Sequence, residues 1–589
     1  MEIDAISELL NELSNIHFPS GPIYQEVERR RAHLGTDELT CIYHLSESHV
    51  PGLRYKAIYR YEKNMKNESD NKCIGINKRN IDFSCKDEDL KENIMEMLQK
   101  VEEMPKEWVI IQLTPDYNPE GNFETLEGTR YTNALYMTVF HCGANQPKPF
   151  YIKIDAPVDK ISGKVIQIRQ EMESIIVDNK KSFTNIKTSD KKADQFNSHI
   201  DKHLYSKARY VVNNRLKNLV KDIQGIWLGE WRCLFAGKLT DEDEDEISEK
   251  LELLLLNCQM KDVPKKIKCI LRCLIRSSNH LKMAEMKRIV QYCFPDNGEF
   301  HVSLSKAVYE LGQNDNFSQR KRHPVILVVD EKLDTLPWEM LDVLQDHPAS
   351  RMPSLHFTYA LFKEHEQSIV NGVKVGIDYQ KGKYIINPGL DLKRMETRLH
   401  NFFKYWTPHW DGLVGIRPSR EEFGNLLLNC DIFSYNGHGN GTQFFSSDRI
   451  QRLRINSVVL LFGCGSVKYT NLGPQVEMFG SHQMYLIACS PCVVGMLWEV
   501  TDFDTDTLAT EFWSTWLPQG PNLHWKYINK KKWEVTGEVE PNPNVKDSNS
   551  HEKHEPELLR ALSKARKSAH QYLTQASCVA RGIPVKINC

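Results

Sequence analysis

An α/β fold is predicted for this chain: a largely parallel sheet covered by helices in the C-terminal half, preceded by a mainly helical region with a β-rich insert. Three observations predict it. From about Arg322 onward, short apolar runs rich in Val, Ile and Leu alternate with amphipathic segments, the pattern of parallel strands joined by crossover helices. Two of those runs end in glycine-bracketed turns: Asp431-Ile432-Phe433-Ser434-Tyr435 opens into Asn436-Gly437-His438-Gly439-Asn440-Gly441, and Val458-Val459-Leu460-Leu461-Phe462 opens into Gly463-Cys464-Gly465-Ser466. Before about residue 310, helical spacing of apolar residues dominates, interrupted by three β-rich runs.

In chain order, residues 1–100 begin with a helix carrying Ile3, Ile6, Leu9, Leu10 and Leu13 on one face. Such a terminal helix docks on its own domain or on another chain. Trp108 to Leu113, Tyr131 to Phe140 and Phe150 to Ile154 read as strands within a region spanning 101–320. A long helix is expected from about His203 to Trp231, with Tyr210, Leu216, Leu219, Ile223 and Trp227 at helical spacing. The acidic run Asp241 to Glu246 is expected to be a solvated loop before the next helix. From 321 to 589, Val325 to Asp330 reads as a strand, and Ser419-Arg420-Glu421-Glu422 as a capping box opening the helix that leads to the His438 strand. A helix near Pro474 to Leu486, a strand Val493 to Trp498 and a helix Thr505 to Trp516 follow. The polar, Pro/Asn/Lys-rich stretch 520–554 is expected to be a flexible insertion, and a helix from Glu555 to Tyr572 closes the domain.

Composition excludes unusual classes. The chain has 589 residues, 40% hydrophobic and 26% charged, with a net charge of −2, so nothing global argues for a membrane partner or for sequence-specific nucleic-acid binding. The longest apolar runs are too short to span a bilayer, and the acidic Met1-Glu2-Ile3-Asp4 start matches neither a signal nor a transit peptide. Fifteen scattered cysteines, an odd number, read as free thiols in a reducing compartment. Cys489-Ser490-Pro491-Cys492 lacks a second pair, so no metal site and no cofactor are expected.

The two glycine turns carry the chemistry. A free thiol has a pKa of roughly 8.5, and a nearby imidazole both raises the thiolate fraction and later protonates the leaving amine. The bracketing glycines let backbone N–H groups face a developing oxyanion, placing that hole at the amides of Gly439 and Cys464. Taken singly, Cys464 reads as a core residue and His438 as a turn histidine; on consecutive strands they read as the nucleophile and base of a cysteine protease.

The second half resembles separase, a caspase-like protease family. The resemblance rests on Leu336-Pro337-Trp338-Glu339, Arg351-Met352-Pro353-Ser354-Leu355, Tyr384-Ile385-Ile386-Asn387-Pro388, both glycine turns, Leu497-Trp498-Glu499-Val500-Thr501-Asp502-Phe503-Asp504-Thr505-Asp506, and Tyr572 to Val585. Weaker similarity reaches back to Trp227-Leu228-Gly229-Glu230-Trp231. The chain departs from the family at Asn440, Gly465 and Glu499, and is similar to the short, insect-type members, whose helical arm is expected on a separate chain. Ordinary caspases fit less well, because their Q-A-C-x-G sequence is absent.

This resemblance implies a caspase-like fold for 321–589 and a substrate-binding or pseudo-protease-like role for 101–320. It also implies cleavage of the cohesin kleisin after arginine in E-x-x-R sites, restraint by a securin-type inhibitor, and a cytoplasmic enzyme with access to chromosomes in mitosis. A separate helical regulatory subunit, recruited by the N-terminal helix, is the partner form of the same expectation. An arginine pocket needs a carboxylate, and Asp502, Asp504 and Asp506 are candidates, with Asp506 first and Asp504 second; any one of them reads equally as a helix cap. The alternative function is a catalytically silent caspase-like scaffold.

Overall fold

The computed structural model describes residues 21–66, 75–81, 90–116, 134–158, 163, 165–190, 199–260, 262–296, 298–473, 476–543 and 553–588. The expected terminal helix with Ile3, Ile6, Leu9, Leu10 and Leu13 lies outside the described residues. Among the described residues no helix is long and apolar enough to cross a membrane.

Strands β1 (Val109–Pro115), β2 (Leu135–His141), β3 (Phe150–Ile154), β4 (Val325–Val329), β5 (Ala349–Met352), β6 (Ile369–Val370) and β7 (Val373–Ile377) are followed by β8 (Gly382–Ile386), β9 (Asp411–Val414), β10 (Ile432–Asn436), β11 (Val458–Leu461), β12 (Cys492–Met496), β13 (Cys578–Gly582) and β14 (Val585–Ile587). Eleven of them form one sheet in the order β3-β2-β1-β4-β5-β13-β12-β11-β10-β8-β9, and β14, β7 and β6 form a second, small one. The large sheet is parallel except at β1–β2, β2–β3 and β12–β13. This is the predicted α/β class, and its strands are buried on both faces where they are parallel and central.

The β-rich insert is not a separate sheet. All seven residues of β1 are buried, so both of its edges require partners: β2 takes one, and β4 pairs in parallel on the other with Val109 opposite Val325. The boundary read between 320 and 321 therefore runs through one sheet, and one hydrophobic core extends from Ile42 to Ile587. The seam with the fewest paired residues lies instead inside 321–589, between β5 and β13, which pair only at Arg351 and Arg581. There a buried ionic network substitutes for a ladder: Arg351 donates to both oxygens of Glu339 (2.8 and 2.6 Å) and Arg581 to both oxygens of Asp334 (2.9 and 2.6 Å).

Five elements differ from expectation. The α-helix His199–Asp222 stops well before Trp231 and passes through a π turn, Ile223–Trp227, into a 3-10 segment, Gly229–Phe235. Gly229 has φ +53° there, a conformation that breaks a helix. The bend turns Trp227 and Phe235 onto Trp338, and Tyr210, expected on the buried face, is 68% exposed. The acidic run is not a loop: it opens the helix Asp241–Asn257. Carboxylates in a first turn oppose the positive end of the helix dipole, and these also meet Lys106, Arg276 and Arg320. The stretch expected to be a flexible insertion is ordered through residue 543, with a helix Lys530–Thr536 and with Trp525 and Trp533 fully buried; two tryptophans outweigh the polarity around them. Residues 544–552 lie outside the described residues. The closing helix is two: Leu558–Arg566 and Tyr572–Ser577. The helix expected from Pro474 is confined to Ser481–Ile487, Pro474 itself lying outside the described residues.

The helices Gly21–Leu34 and Pro51–Lys66 dock on the loops after β4 and before Ser481. Arg29 donates to Asp330 at 2.5 Å with both side chains buried, and Glu477 accepts from the amides of Gly52 and Leu53. Burial, reinforced by Asp330 and Glu477, pushes the Glu331 carboxyl up to about 8. Burial likewise pushes Glu477 up to about 7 against the pull of the Gly52 and Leu53 amides. Folded values above the ordinary 4.5 mean that the folded chain holds more protons than the unfolded one, so this contribution to stability is complete below 4.5 and is lost as pH rises through about 7 to 8. Glu331→Gln is expected to flatten that decline by about 1.4 kcal/mol or more, the value of one pKa unit. Urea unfolding of both proteins across this pH window is the measurement.

Candidate active site

β10 and β11 are adjacent and parallel, Ile432 opposite Val458 and Tyr435 opposite Leu461, so their C-terminal turns emerge side by side at the edge where open α/β sheets bind ligands. The contact is closer than adjacency requires. A β-carbon at Gly463 would lie 1.9 Å from the Gly439 carbonyl oxygen and 2.4 Å from that of Gly437. The His438 turn thus rests backbone to backbone against the Gly463 α-carbon, which holds His438 and Cys464 on abutting loops.

Each turn is tied from behind. The His438 carbonyl accepts from the Tyr435 hydroxyl (2.9 Å) and from Gln443 (3.2 Å). Asn440 accepts from the Thr442 amide and donates to Ser481 at 2.7 Å, linking this turn to the helix Ser481–Ile487. In the other turn Gly465 has φ +58° and donates its amide to the Trp498 carbonyl, while Ser466 Oγ bridges the Leu461 carbonyl and the Met496 amide. The departures at Asn440 and Gly465 therefore fit the turns they occupy. Gly439 also has positive φ, +64°, and a β-carbon there would meet nothing within 4 Å: the space in front of its backbone is open.

The His438 side chain is 55% exposed and faces Asp391, Nε2 to Oδ2 2.9 Å. Cys464 is half-buried, and its Sγ donates to the Val500 carbonyl at 3.2 Å. Burial pushes the thiol pKa up, and the charges of Glu499 and Asp502 reinforce it. The resting thiol is therefore protonated. The peptide preceding that carbonyl is held from the other half of the molecule: Asn179, on the helix Ile168–Asp190, donates to the Glu499 carbonyl at 2.8 Å.

The three aspartates after Val500 have separate fates. Thr501, not an aspartate, caps the helix Asp502–Trp516. Asp504 is buried and accepts from the amides of His570 and Gln571 and from the Thr574 hydroxyl, at 3.0 to 3.1 Å; it caps the helix Tyr572–Ser577 from outside. Asp506 is buried against Arg398, whose Nε and Nη2 lie 2.7 and 2.6 Å from one oxygen. In this conformation neither is open to an incoming guanidinium. Asp502 is 41% exposed, 3.3 Å from Arg398. Asp391, Arg398 and the Val500 carbonyl were missed by sequence reasoning; nothing in their spacing announces them, because each reaches the site through a tertiary contact. Among the described residues no group of three or more His, Cys, Asp or Glu side chains is placed to hold a metal ion.

Comparison with known proteins gives one consistent result. The model of the separin protease domain matches residues 131–505, a span that includes both turns. Mouse separin is 30% identical over 330 residues, 56% of this chain and 15% of that protein. The Schizosaccharomyces pombe separin is 34% identical over 203 residues, 34% of this chain and 11% of that protein. Two solved structures of the Saccharomyces cerevisiae separase–securin complex, at 2.6 and 3.0 Å, share the fold with TM-scores of 0.68 and 0.70 at 16% identity; they align with 100% and 99% of this chain and with 38% and 37% of theirs. The chain spans well under half the length of the relatives it matches.

Gly463→Ala tests the contact on which this geometry rests. The added methyl must displace the Gly439 carbonyl, so a destabilisation of about 1–3 kcal/mol is expected, with slower reaction of Cys464 toward a small alkylating agent. Denaturant unfolding and alkylation kinetics are the measurements.

Proposed function

This chain belongs to the separin protease family, a family of cysteine proteases, and from that footing we propose that it is an endopeptidase with Cys464 as nucleophile and His438 as base. The observation that carries the proposal is the abutment of the two turns at Gly463, an arrangement a core cysteine and a turn histidine do not require. His438 takes the Sγ proton as the thiol leaves Val500. The thiolate adds to the scissile carbonyl, the oxyanion meets the backbone N–H groups of Gly439 and Cys464, and the imidazolium protonates the departing amine. Water activated by the neutral imidazole then hydrolyses the thioester, which restores the thiol and releases the carboxylate product.

The proposed substrate is the cohesin kleisin, cut after arginine, with a securin-type inhibitor as partner. Family membership supports both, as does the likeness to structures described as separase–securin complexes. Acting on that substrate requires access to chromosomes in mitosis. For the arginine, Asp502 is the carboxylate open to solvent, and Asp506 lies behind it under Arg398. The guanidinium enters along Asp502 and exchanges with Arg398 for Asp506. Asp504 takes no part, because its oxygens hold the helix after Gln571.

Cys464→Ser and His438→Ala are each expected to abolish cleavage of a kleisin fragment while preserving thermal stability; activity within a few fold of the parent in either variant overturns the proposal and favours a silent scaffold. Asp502→Asn is expected to cost on the order of 1–3 kcal/mol in kcat/KM for arginine substrates, the scale of a lost charge-assisted hydrogen bond, with alkylation of Cys464 not slowed.

A further inference from the structure

Asp391 stands 2.9 Å from His438 Nε2 although nothing about burial obliges it to: the two side chains are 59% and 55% exposed. What brings it there is a loop built at a conformational cost. Between β8 and the helix Lys393–Trp406, Asn387 has φ +49° and Leu390 φ +70°, left-handed conformations that asparagine tolerates but that are unfavourable for leucine and persist there only when the surroundings enforce them. The surroundings do so through Asn387, which is fully buried. Its amide donates to the Asn436 carbonyl (2.8 Å), its carbonyl accepts from the Leu390 amide (3.1 Å), its Oδ1 accepts from the Leu392 amide (3.0 Å), and its Nδ2 donates to Glu396 (2.7 Å). Asn436 is the last residue of β10, two before His438. The loop that presents Asp391 is thus fastened to the very turn that presents the imidazole.

We propose that Asp391 is the positioning residue of the thiol–imidazole pair. A carboxylate only accepts, so its contact assigns the proton of the neutral ring to Nε2 and leaves Nδ1 as the basic nitrogen for the Cys464 side. Once His438 has taken the thiol proton, the same carboxylate faces an imidazolium and stabilises it, the role a buried aspartate plays in serine-protease triads. Here the pair is open to water, which weakens it. This proposal deepens the reading of Cys464 and His438 as nucleophile and base, and rests on it. The other titratable and charged groups around the pair are Tyr435 below it, Lys393 and Glu396 on the following helix, and Glu499 and Asp502 beside the thiol. The substitution tested leaves them all in place.

Asp391→Asn keeps the shape and a weaker acceptor but removes the charge, and Asp391→Glu retains the charge at a longer reach. The full chain is assayed on an arginine-containing peptide with Cys464→Ser and His438→Ala as references. Asp391→Asn is expected to lower kcat by roughly 10- to 100-fold with KM within about twofold. The acid limb of its kcat/KM profile, where the imidazole is protonated and lost as a base, should move to lower pH, and iodoacetamide should react more slowly with Cys464 at neutral pH. Asp391→Glu should recover part of all three. A merely structural role moves stability without moving the pH profile or being rescued by charge. Parental kcat and pH profile in Asp391→Asn, with Cys464→Ser and His438→Ala inactive, overturns the Asp391 proposal alone; activity in either reference variant overturns the nucleophile and base assignment and this proposal with it.

Discussion

The carbonyl oxygens of Gly437 and Gly439 approach the Gly463 α-carbon so closely that no β-carbon fits between them, and the geometry of the site descends from that contact. Side-chain packing tolerates adjustments of tenths of an ångström through rotamer changes, whereas two backbones in contact do not. The distance between the imidazole loop and the thiol loop is therefore set by the parallel register of β10 and β11 and by a missing side chain. Variation elsewhere in the turns becomes affordable. Asn440 uses its amide to reach Ser481, and Gly465 adopts a left-handed conformation, neither of which touches the contact.

The same logic extends outward. The sheet that carries β10 and β11 continues through β12 and the antiparallel β13 to β5, β4 and the strands of the N-terminal insert. At the β5–β13 seam, where a single residue pair is in register, Arg351, Arg581, Glu339 and Asp334 neutralise one another in the interior. A buried network of this kind adds little net stability, because desolvation offsets the attraction, but unpairing one member is expensive; its effect is to hold one arrangement of the two sides. That arrangement matters at the thiol, since Asn179 from the helical region supports the Glu499 carbonyl next to Val500. Arg209 and Asn213 of the neighbouring helix likewise contact Gln571 and Leu573.

Much of this was legible from the sequence, and the division follows the range of the interactions. The strands, the two turns and the Ser419 capping box are local patterns, and all are found close to where the spacing puts them. The acidic run misled because charge density reads as solvation, yet at a helix start it is matched by the dipole and by cations distant in sequence. The 520–543 segment misled because its average polarity hides Trp525 and Trp533, whose burial decides its order. In the site, the turns were readable and their supports were not. Asp391 lies 47 residues before His438, and Arg398 meets Asp506 across 108 residues. Asp504 had the chemistry of an arginine receptor, and only the fold shows that its oxygens are spent on the helix after Gln571.

The central proposal, that Cys464 is the nucleophile served by His438, is tested most directly by covalent capture. The other described cysteines are buried, apart from the partly exposed Cys258; Cys269 also meets an imidazole, His141 Nε2 at 2.8 Å, but both are enclosed in the core. A peptide acyloxymethyl ketone with arginine next to the warhead, incubated with the full chain and located by peptide mass mapping, is predicted to give one adduct, on Cys464, that is suppressed when alanine replaces the arginine. An adduct on another cysteine, or labelling of Cys464 indifferent to the arginine, would contradict the account.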